Sequence, residues 1–178
     1  MKKIFLLFVL TGFVLTSAAA QNAAEITFNF TRQTGSASNQ YAVWIEDSGG
    51  KYIKTLYATR WTAAGGYSRR PASIPIWIKK SNRAEMTQAQ VDAVSGVTPQ
   101  TAAQIYTWDG TDSSGKAVPA GNYVLFLEGT LRWENQVLYR APFALGKGAS
   151  AVQVSAEYAG DSTAEHGMIR DVKVRTLR

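Results

Sequence analysis

The sequence predicts an all-β fold, an immunoglobulin-like β-sandwich with one long insertion that contains a short helix. Short apolar segments, about seven or eight of them, recur at the spacing typical of such sandwiches. The turns between them are rich in Gly, Asn, Asp and Ser. The chain has 178 residues, which is enough for one domain with its own core.

The strand pattern begins at residues 25–32, where Ile26, Phe28 and Phe30 alternate onto one face. The turn at residues 47–50 joins the next two segments, 41–46 and 52–59, into a predicted hairpin. Further strands are predicted at residues 104–108, 122–133, 136–145, 151–158 and 168–177.

Residues 61–101 break this pattern and form the predicted insertion. Residues 61–73 are rich in Gly, Ala and Arg and indicate a long loop, and residues 74–80 suit an edge strand or an irregular segment because of Pro75. Thr87 and Gln90 fit a capping box, which predicts a short helix from residue 88 to about 94. Gly96 is then expected at the helix C-terminus with a positive φ.

The N-terminus predicts export. Lys2 and Lys3 precede an apolar run over residues 4–15, and Ala18-Ala19-Ala20 supplies a cleavage site of small residues. Residues 1–20 are therefore predicted to be a signal peptide, with a single mature domain over residues 21–178 in the periplasm. An N-terminal membrane anchor is the alternative, but the run is short for a membrane span.

The composition excludes several kinds of chemistry. The chain has no Cys and one His, His166. Disulfides, thiolate metal sites, thiol nucleophiles and multi-His metal sites are therefore excluded. A Ser-His-Asp relay would depend on His166, and no Gly-x-Ser-x-Gly motif accompanies it. We expect no catalytic residue and no protein-bound metal.

Positive charge is concentrated in one stretch. Eight basic residues and no acidic residue lie between positions 51 and 83, whereas the rest of the mature chain is net acidic. This asymmetry favours an anionic partner such as a phosphate, a flavin, a lipid headgroup or an acidic protein face, and export argues against nucleic acid. A solvated surface is the alternative. The eight are Lys51, Lys54, Arg60, Arg69, Arg70, Lys79, Lys80 and Arg83.

The segment Asp92-Ala93-Val94-Ser95-Gly96-Val97-Thr98 resembles the Asp-x-x-Ser/Thr-Gly-Ala-Thr signature of extracytoplasmic bacterial redox proteins with covalent FMN. The resemblance implies that a flavin transferase joins the FMN phosphate to the Thr98 hydroxyl. It also implies that Asp92 positions the acceptor loop in the transferase, and that Ser95 and Gly96 keep the approach open. Val97 stands where the signature has Ala. Basic side chains would neutralise the phosphate, and Trp61 or Trp77 would cover the flavin ring.

A wider resemblance covers essentially the mature chain. Residues 41–47, residues 50–56, Arg70-Pro71 and Trp77 resemble the exported bacterial family called domain of unknown function 2271. Its members are similar to companions of flavin transferases and membrane flavin-reductase-type proteins. This implies a periplasmic electron-transfer protein whose partner is a membrane redox protein with an acidic face. The alternative is a cofactor-free immunoglobulin-like module that binds or builds structure in the periplasm or at the cell surface.

Residues 108–123 resemble a turn-rich hairpin of immunoglobulin-like domains in the flagellar hook-cap protein and in bacterial surface proteins. Asp109 and Asp112 raise the possibility of calcium, but the loop lacks the oxygen ligands and the distal Glu of an EF-hand. Asp109, Gly110, Gly115 and Gly121 are therefore predicted to serve turn geometry.

Overall fold

The computed structural model describes residues 23–34, 37–160 and 167–178. It is mostly β, with 50% of these residues in strands that form two sheets and 16% in helices, so the predicted predominance of β structure is confirmed. The predicted signal peptide and His166 lie outside the described residues.

Ten strands follow one another along the described chain. They are β1 (Ala24–Phe30), β2 (Ala37–Asp47), β3 (Tyr52–Thr59), β4 (Ser95–Gly96), β5 (Ala102–Trp108), β6 (Gly121–Arg132), β7 (Gln136–Leu145), β8 (Ser150–Val152), β9 (Ser155–Ala159) and β10 (Ile169–Thr176).

One sheet has four strands in the order β5-β1-β10-β8, and the other has six in the order β4-β3-β2-β6-β7-β9. The pairings are antiparallel except that of β4 with β3, which is parallel. The predicted bounds of β3 and β7 are confirmed. The single strand predicted at residues 151–158 is wrong, because β8 joins the small sheet and β9 the large one.

Both sheets contribute alternate side chains to one core. Phe28 of β1, Tyr41 of β2 and Leu125 of β6 are buried together in it. Trp108 is fully buried, with its ring centroid 5.2 Å from that of Tyr123, and its Nε1 donates to the Thr111 carbonyl at 2.8 Å. The period-two pattern of the sequence therefore corresponds to the inner faces of two facing sheets.

A second core lies where residues 60–101, here called the β3–β5 segment, meet the six-stranded sheet. The segment contains three short helices, α1 (Arg60–Ala63), α2 (Pro75–Lys80) and α3 (Gln88–Val94). Trp77 and Val91 pack in one buried cluster with Trp44 and Leu138 of the sheet. The segment thus covers apolar side chains that the sheet directs away from the main core.

Two predictions for this segment were wrong. Residues 61–73, predicted as a loop, include most of α1 and a turn of 3₁₀ helix at Gly66–Ser68. Residues 74–80, predicted as an edge strand or irregular, form α2. Pro75 is the first residue of that helix, where its missing N–H costs no hydrogen bond.

Buried polar side chains of β6 hold α2 in place. Glu128 Oε2 accepts from the Trp77 amide at 2.7 Å, and its Oε1 accepts from the Ile76 amide at 3.0 Å. Thr130 Oγ1 accepts from the amide of Ile74, a buried residue whose φ of 40° is unfavourable for a β-branched side chain. Burial raises the pKa of Glu128 to about 7 despite these two donors.

Candidate functional site

The signature that ends at Thr98 begins on α3 and leaves it through β4. A capping box starts the helix as predicted, because Thr87 accepts from the Gln90 amide while the Gln90 side chain accepts from the Thr87 amide. β4 then pairs with Ala58 and Thr59 at the end of β3. Because of this pairing, Thr98 lies at one end of the two-sheet structure, where it is partly exposed.

Thr98 lines a cavity of about 650 Å³, within the size range usual for sites that hold small molecules and cofactors. Three arginines meet there although they come from separate parts of the chain, one after β1 and two from the β3–β5 segment. Their charges make the cavity a place for an anion. Its described lining comprises Arg32, Arg60, Trp61, Ala64, Gly65, Gly66, Arg69, Val97 and Thr98.

Trp61 supplies the aromatic surface of the cavity. Its side chain is 46% exposed. Gly66 packs against the ring so closely that a Cβ added at residue 66 would lie 2.6 Å from it, and this position therefore requires glycine. The other predicted cover, Trp77, is fully buried and donates from Nε1 to Thr55 Oγ1 at 2.8 Å. The prediction that Trp77 covers a flavin ring is therefore wrong.

Asp92 is paired with one of the cavity arginines. Its Oδ1 lies 2.7 Å from Arg60 Nη2 and also accepts from Gln88 Nε2 at 3.0 Å. Both partners of the ion pair are about half exposed, so the pair contributes little to stability. Its consequence is geometric, since it restrains the guanidinium of Arg60 beside the cavity.

Gly96 has a different role from the one predicted. It lies in β4 rather than at a left-handed helix end, and the positive φ expected there is absent. An added Cβ would lie 2.7 Å from Cε2 of Tyr57, so the ring of Tyr57 occupies the space of a side chain. The Tyr57 hydroxyl then donates to the Val97 carbonyl at 2.6 Å. Glycine is required here for close packing.

Tyr57 belongs to a group of tyrosines that reaches from the core to the signature. Its ring stacks on that of Tyr106 with centroids 4.9 Å apart, and the hydroxyls of Tyr106 and Tyr41 are 2.7 Å apart. Burial raises the pKa of all three phenols, so they remain neutral hydrogen-bonding groups at neutral pH. The residue before Thr98 is therefore anchored to the main core. Sequence reasoning missed this role of Tyr57.

Ser95 and Gly96 lie behind the cavity rather than on its described lining. Ser95 pairs with Ala58, and its Oγ is buried without a hydrogen-bond partner among the described residues. Of the four predicted site residues, the structure places Thr98 on the cavity and connects Asp92 to it through Arg60.

The eight basic residues do not form one exposed face. Lys80 Nζ lies 2.7 Å from Oε2 of Glu46, whose side chain is buried, and Lys54 Nζ lies 3.1 Å from Asp109 Oδ1. Arg83 is buried and donates to the Ala63 carbonyl. Lys80 and Arg83 therefore make contacts within the protein, where Lys80 connects α2 to β2 and Arg83 connects two parts of the β3–β5 segment.

The aspartate carboxylates of the 108–123 loop accept hydrogen bonds from other residues of the same loop. Asp109 Oδ1 accepts from the Thr111 amide and hydroxyl, and Asp112 Oδ1 accepts from Ser114 and from the Lys116 amide. Gly110 and Gly115 have positive φ as turn glycines do, whereas Gly121 begins β6 with a φ outside that region. No group of three or more possible ligating side chains that could hold a metal occurs in the described parts of the chain.

A family model described as a predicted periplasmic protein, DUF2271, matches residues 21–162, which include the cavity and the whole signature. Curated proteins and solved structures gave no match. Within the described residues, no helix is long and apolar enough to cross a membrane.

Proposed function

This chain belongs to the family of predicted periplasmic proteins called DUF2271, and we propose that it is a periplasmic electron-transfer protein that carries FMN covalently on Thr98. The family description supports the location. In this proposal residues 1–20 are a signal peptide that is removed on export, and residues 21–178 fold as a single domain.

The observation that carries the proposal is the position of Thr98 on a cavity lined by arginines. Arg32, Arg60 and Arg69 offer guanidinium groups that suit a phosphate ester, and these would hold the FMN phosphate. Trp61 offers an exposed aromatic surface at the same cavity, where a flavin ring can stack. The arginines thus suit the phosphate of FMN, and Trp61 suits its flavin ring.

Attachment would form one bond between Thr98 Oγ1 and the phosphorus of the FMN phosphate, while the phosphoanhydride bond of an activated flavin donor breaks and the departing phosphate takes the Thr98 hydroxyl proton. The protein would gain the mass of FMN less one water. A flavin transferase would carry out this step, as the resemblance of residues 92–98 to the flavin-attachment signature implies. The bound flavin would supply the redox chemistry, while the protein binds and orients it. The electron partner in this proposal is a membrane redox protein with an acidic face.

The scaffold in this proposal is an immunoglobulin-like sandwich. The order β3-β2-β6-β7 corresponds to strands C′-C-F-G of variable-type immunoglobulin domains, and β5 beside β1 corresponds to E beside B. β10 pairs with the opposite edge of β1. Loops at one end of such sandwiches commonly carry function, and the cavity lies among loops of that kind.

The test is coexpression of the exported protein with an active flavin transferase, followed by visible absorption of the purified protein. We expect a yellow protein, and we expect Thr98→Val to be colourless. Thr101→Val is the matched control, because Thr101 is the next threonine and its Oγ1 accepts from the Arg32 amide. Equal colour in the Thr98→Val variant, or a colourless wild type, would contradict the proposal.

A second candidate is a cofactor-free module that holds an anionic ligand in the same cavity. The observation in its favour is that the arginine side chains already line a cavity of about 650 Å³ in the unmodified chain. Under this alternative, wild type and Thr98→Val would both be colourless and would bind inorganic phosphate or free FMN equally well.

A further inference from the structure

Large apolar side chains are exposed at one end of the sandwich. This end, called the cavity end, consists of residues 31–34, 60–70, 97–101 and 132–135. Val97 is 78% exposed, Trp133 60% and Trp61 46%. Three of the five exposed large apolar side chains found in the described residues therefore lie at this end.

The exposed side chains are connected through neighbouring arginines. Trp61 and Val97 line the cavity together with Arg69. Arg70 follows directly in the chain, and its Nη2 donates to the Trp133 carbonyl at 2.8 Å. A patch of apolar side chains interleaved with arginines results, and such a patch on a protein surface marks a contact with another body.

Trp133 is presented outward at a cost in backbone energy. It lies in the turn between β6 and β7, which the Asn135 amide closes by donating to the Arg132 carbonyl at 2.9 Å. Its φ is 52°, a conformation that suits Gly or Asn far better than Trp. A large ring held exposed at a strained turn is better explained by an external contact than by the packing of this chain.

The arginines at this end indicate that the binding partner is anionic. Among the described residues, Arg32 and Arg69 have no carboxylate partner, and Asp92 is already paired with Arg60. Glu134 is the acidic side chain of the β6–β7 turn. Guanidinium groups around exposed Trp and Val side chains suit a surface with anionic groups outside and an apolar layer below. An acidic protein face would satisfy the arginines but would leave the apolar side chains without a matching layer.

We infer that the cavity end docks on an anionic phospholipid surface, with Trp61, Val97 and Trp133 entering the headgroup layer and Arg32 and Arg69 pairing with lipid phosphates. Tryptophan is enriched at membrane–water interfaces, and basic clusters bind anionic headgroups. This inference concerns the chain without flavin, because Arg32, Arg69 and Trp61 would contact the cofactor in the flavin-loaded protein. It would place the cavity next to the membrane.

The test uses mature protein, residues 21–178, without flavin, and vesicles of phosphatidylglycerol with phosphatidylcholine or of phosphatidylcholine alone. We expect binding to the anionic vesicles that weakens with added salt, because ionic screening shortens the reach of the arginine charges. Brominated lipids should quench part of the tryptophan fluorescence. Three of the five tryptophans, Trp44, Trp77 and Trp108, are fully buried, so quenching reports on Trp61 and Trp133.

Two sets of variants separate the contribution of the exposed tryptophan to vesicle binding from that of the arginine charges. Trp133→Ala should lower vesicle affinity roughly tenfold, whereas Ile105→Ala, at a 62% exposed residue of β5, should leave it unchanged. Arg32→Glu with Arg69→Glu should abolish binding. Lys51→Glu with Lys147→Glu, the same change of charge in turns at the opposite end, should reduce it only slightly.

Thr98→Val should bind vesicles as wild type does, so failure of the flavin proposal and failure of this inference are distinguishable. Three results would overturn the inference: no binding to the anionic vesicles, binding without quenching, or equal binding by Trp133→Ala and wild type. Capture of an acidic protein in the absence of vesicle binding would assign the surface to a protein partner instead.

Discussion

The ring of Tyr57 fills the space that a side chain at residue 96 would need, since an added Cβ would lie 2.7 Å from Tyr57 Cε2. The same ring brings its hydroxyl within 2.6 Å of the Val97 carbonyl. Gly96 and Tyr57 therefore act as one unit that fixes the chain directly before Thr98. Protein interiors are packed densely enough that a single extra methyl group at such a contact has a measurable effect.

Gly96→Ala should lower the free energy of unfolding by about 1–3 kcal/mol, because the new methyl group must displace either the Tyr57 ring or β4. It should also reduce flavin attachment at Thr98. Chemical denaturation and visible absorption measure the two effects. Tyr57→Phe, which removes the hydrogen bond to Val97 and keeps the ring, should cost about 1 kcal/mol.

The pair Gly96→Ala with Tyr57→Ala provides the control for this contact. Removing the ring makes room for the methyl group, so the double variant should be more stable than the sum of the two single effects. Strict additivity would show that the two residues do not compete for the same space.

Glu128 should make the protein less stable as the pH rises. Its pKa is raised from an ordinary 4.5 to about 7 by burial, so the folded state favours the neutral carboxyl group. The stability that this neutral form provides is present below pH 4.5 and is lost as the pH rises to about 7, at a total of roughly 3 kcal/mol. Glu128→Gln should remove this part of the pH dependence.

Urea denaturation of wild type and Glu128→Gln at several pH values between 4 and 8 measures the difference. Glu134→Gln, at an exposed position of the β6–β7 turn, is the matched control. A constant difference between wild type and Glu128→Gln across this range would contradict the assignment.

Lys80→Ala should cost about 1–2 kcal/mol, because it leaves the buried carboxylate of Glu46 with one hydrogen bond fewer. Lys79→Ala at the exposed neighbouring residue should change stability by less than about 0.5 kcal/mol. Thermal or chemical denaturation of the two variants compares them directly. Equal effects would mean that the Lys80–Glu46 contact contributes nothing to holding α2 on the sheet.

Asp109→Ala should lower stability by about 1–3 kcal/mol without loss of flavin, because Asp109 binds Thr111 and Lys54 at the end of the sandwich remote from the cavity. Asp112→Ala, at a partly exposed position of the same loop, should have a smaller effect. Calcium titration of the melting temperature is the accompanying control. A rise with calcium that Asp112→Ala abolishes would overturn the turn assignment.

Local patterns allowed much of this fold to be predicted from the sequence. The strands β3 and β7 were predicted at their observed bounds because alternation and turn residues are local signals. The capping box of Thr87 and Gln90 is also local, and the helix that it predicts is confirmed. The prediction of a single strand at residues 151–158 was wrong, because the change of sheet between β8 and β9 depends on pairing with distant strands.

The site was harder to predict because its parts come together only in three dimensions. The position of Thr98 on a basic cavity requires Arg32, which follows β1, to meet Arg60 and Arg69. The role of Gly96 depends on Tyr57, which lies 39 positions earlier in the chain. The burial of Arg83 and the pairing of Lys80 with Glu46 likewise depend on tertiary packing, which counting charges along the chain does not include.

The most direct test of the central proposal is the mass of the tryptic peptide of residues 84–116 from protein purified out of its native periplasm. This peptide contains Thr98 and no internal Lys or Arg. We expect a mass above that of the unmodified sequence by FMN less one water, with fragmentation that locates the addition at Thr98. An unmodified peptide from cells with an active flavin transferase, or an addition located at another residue, would contradict it.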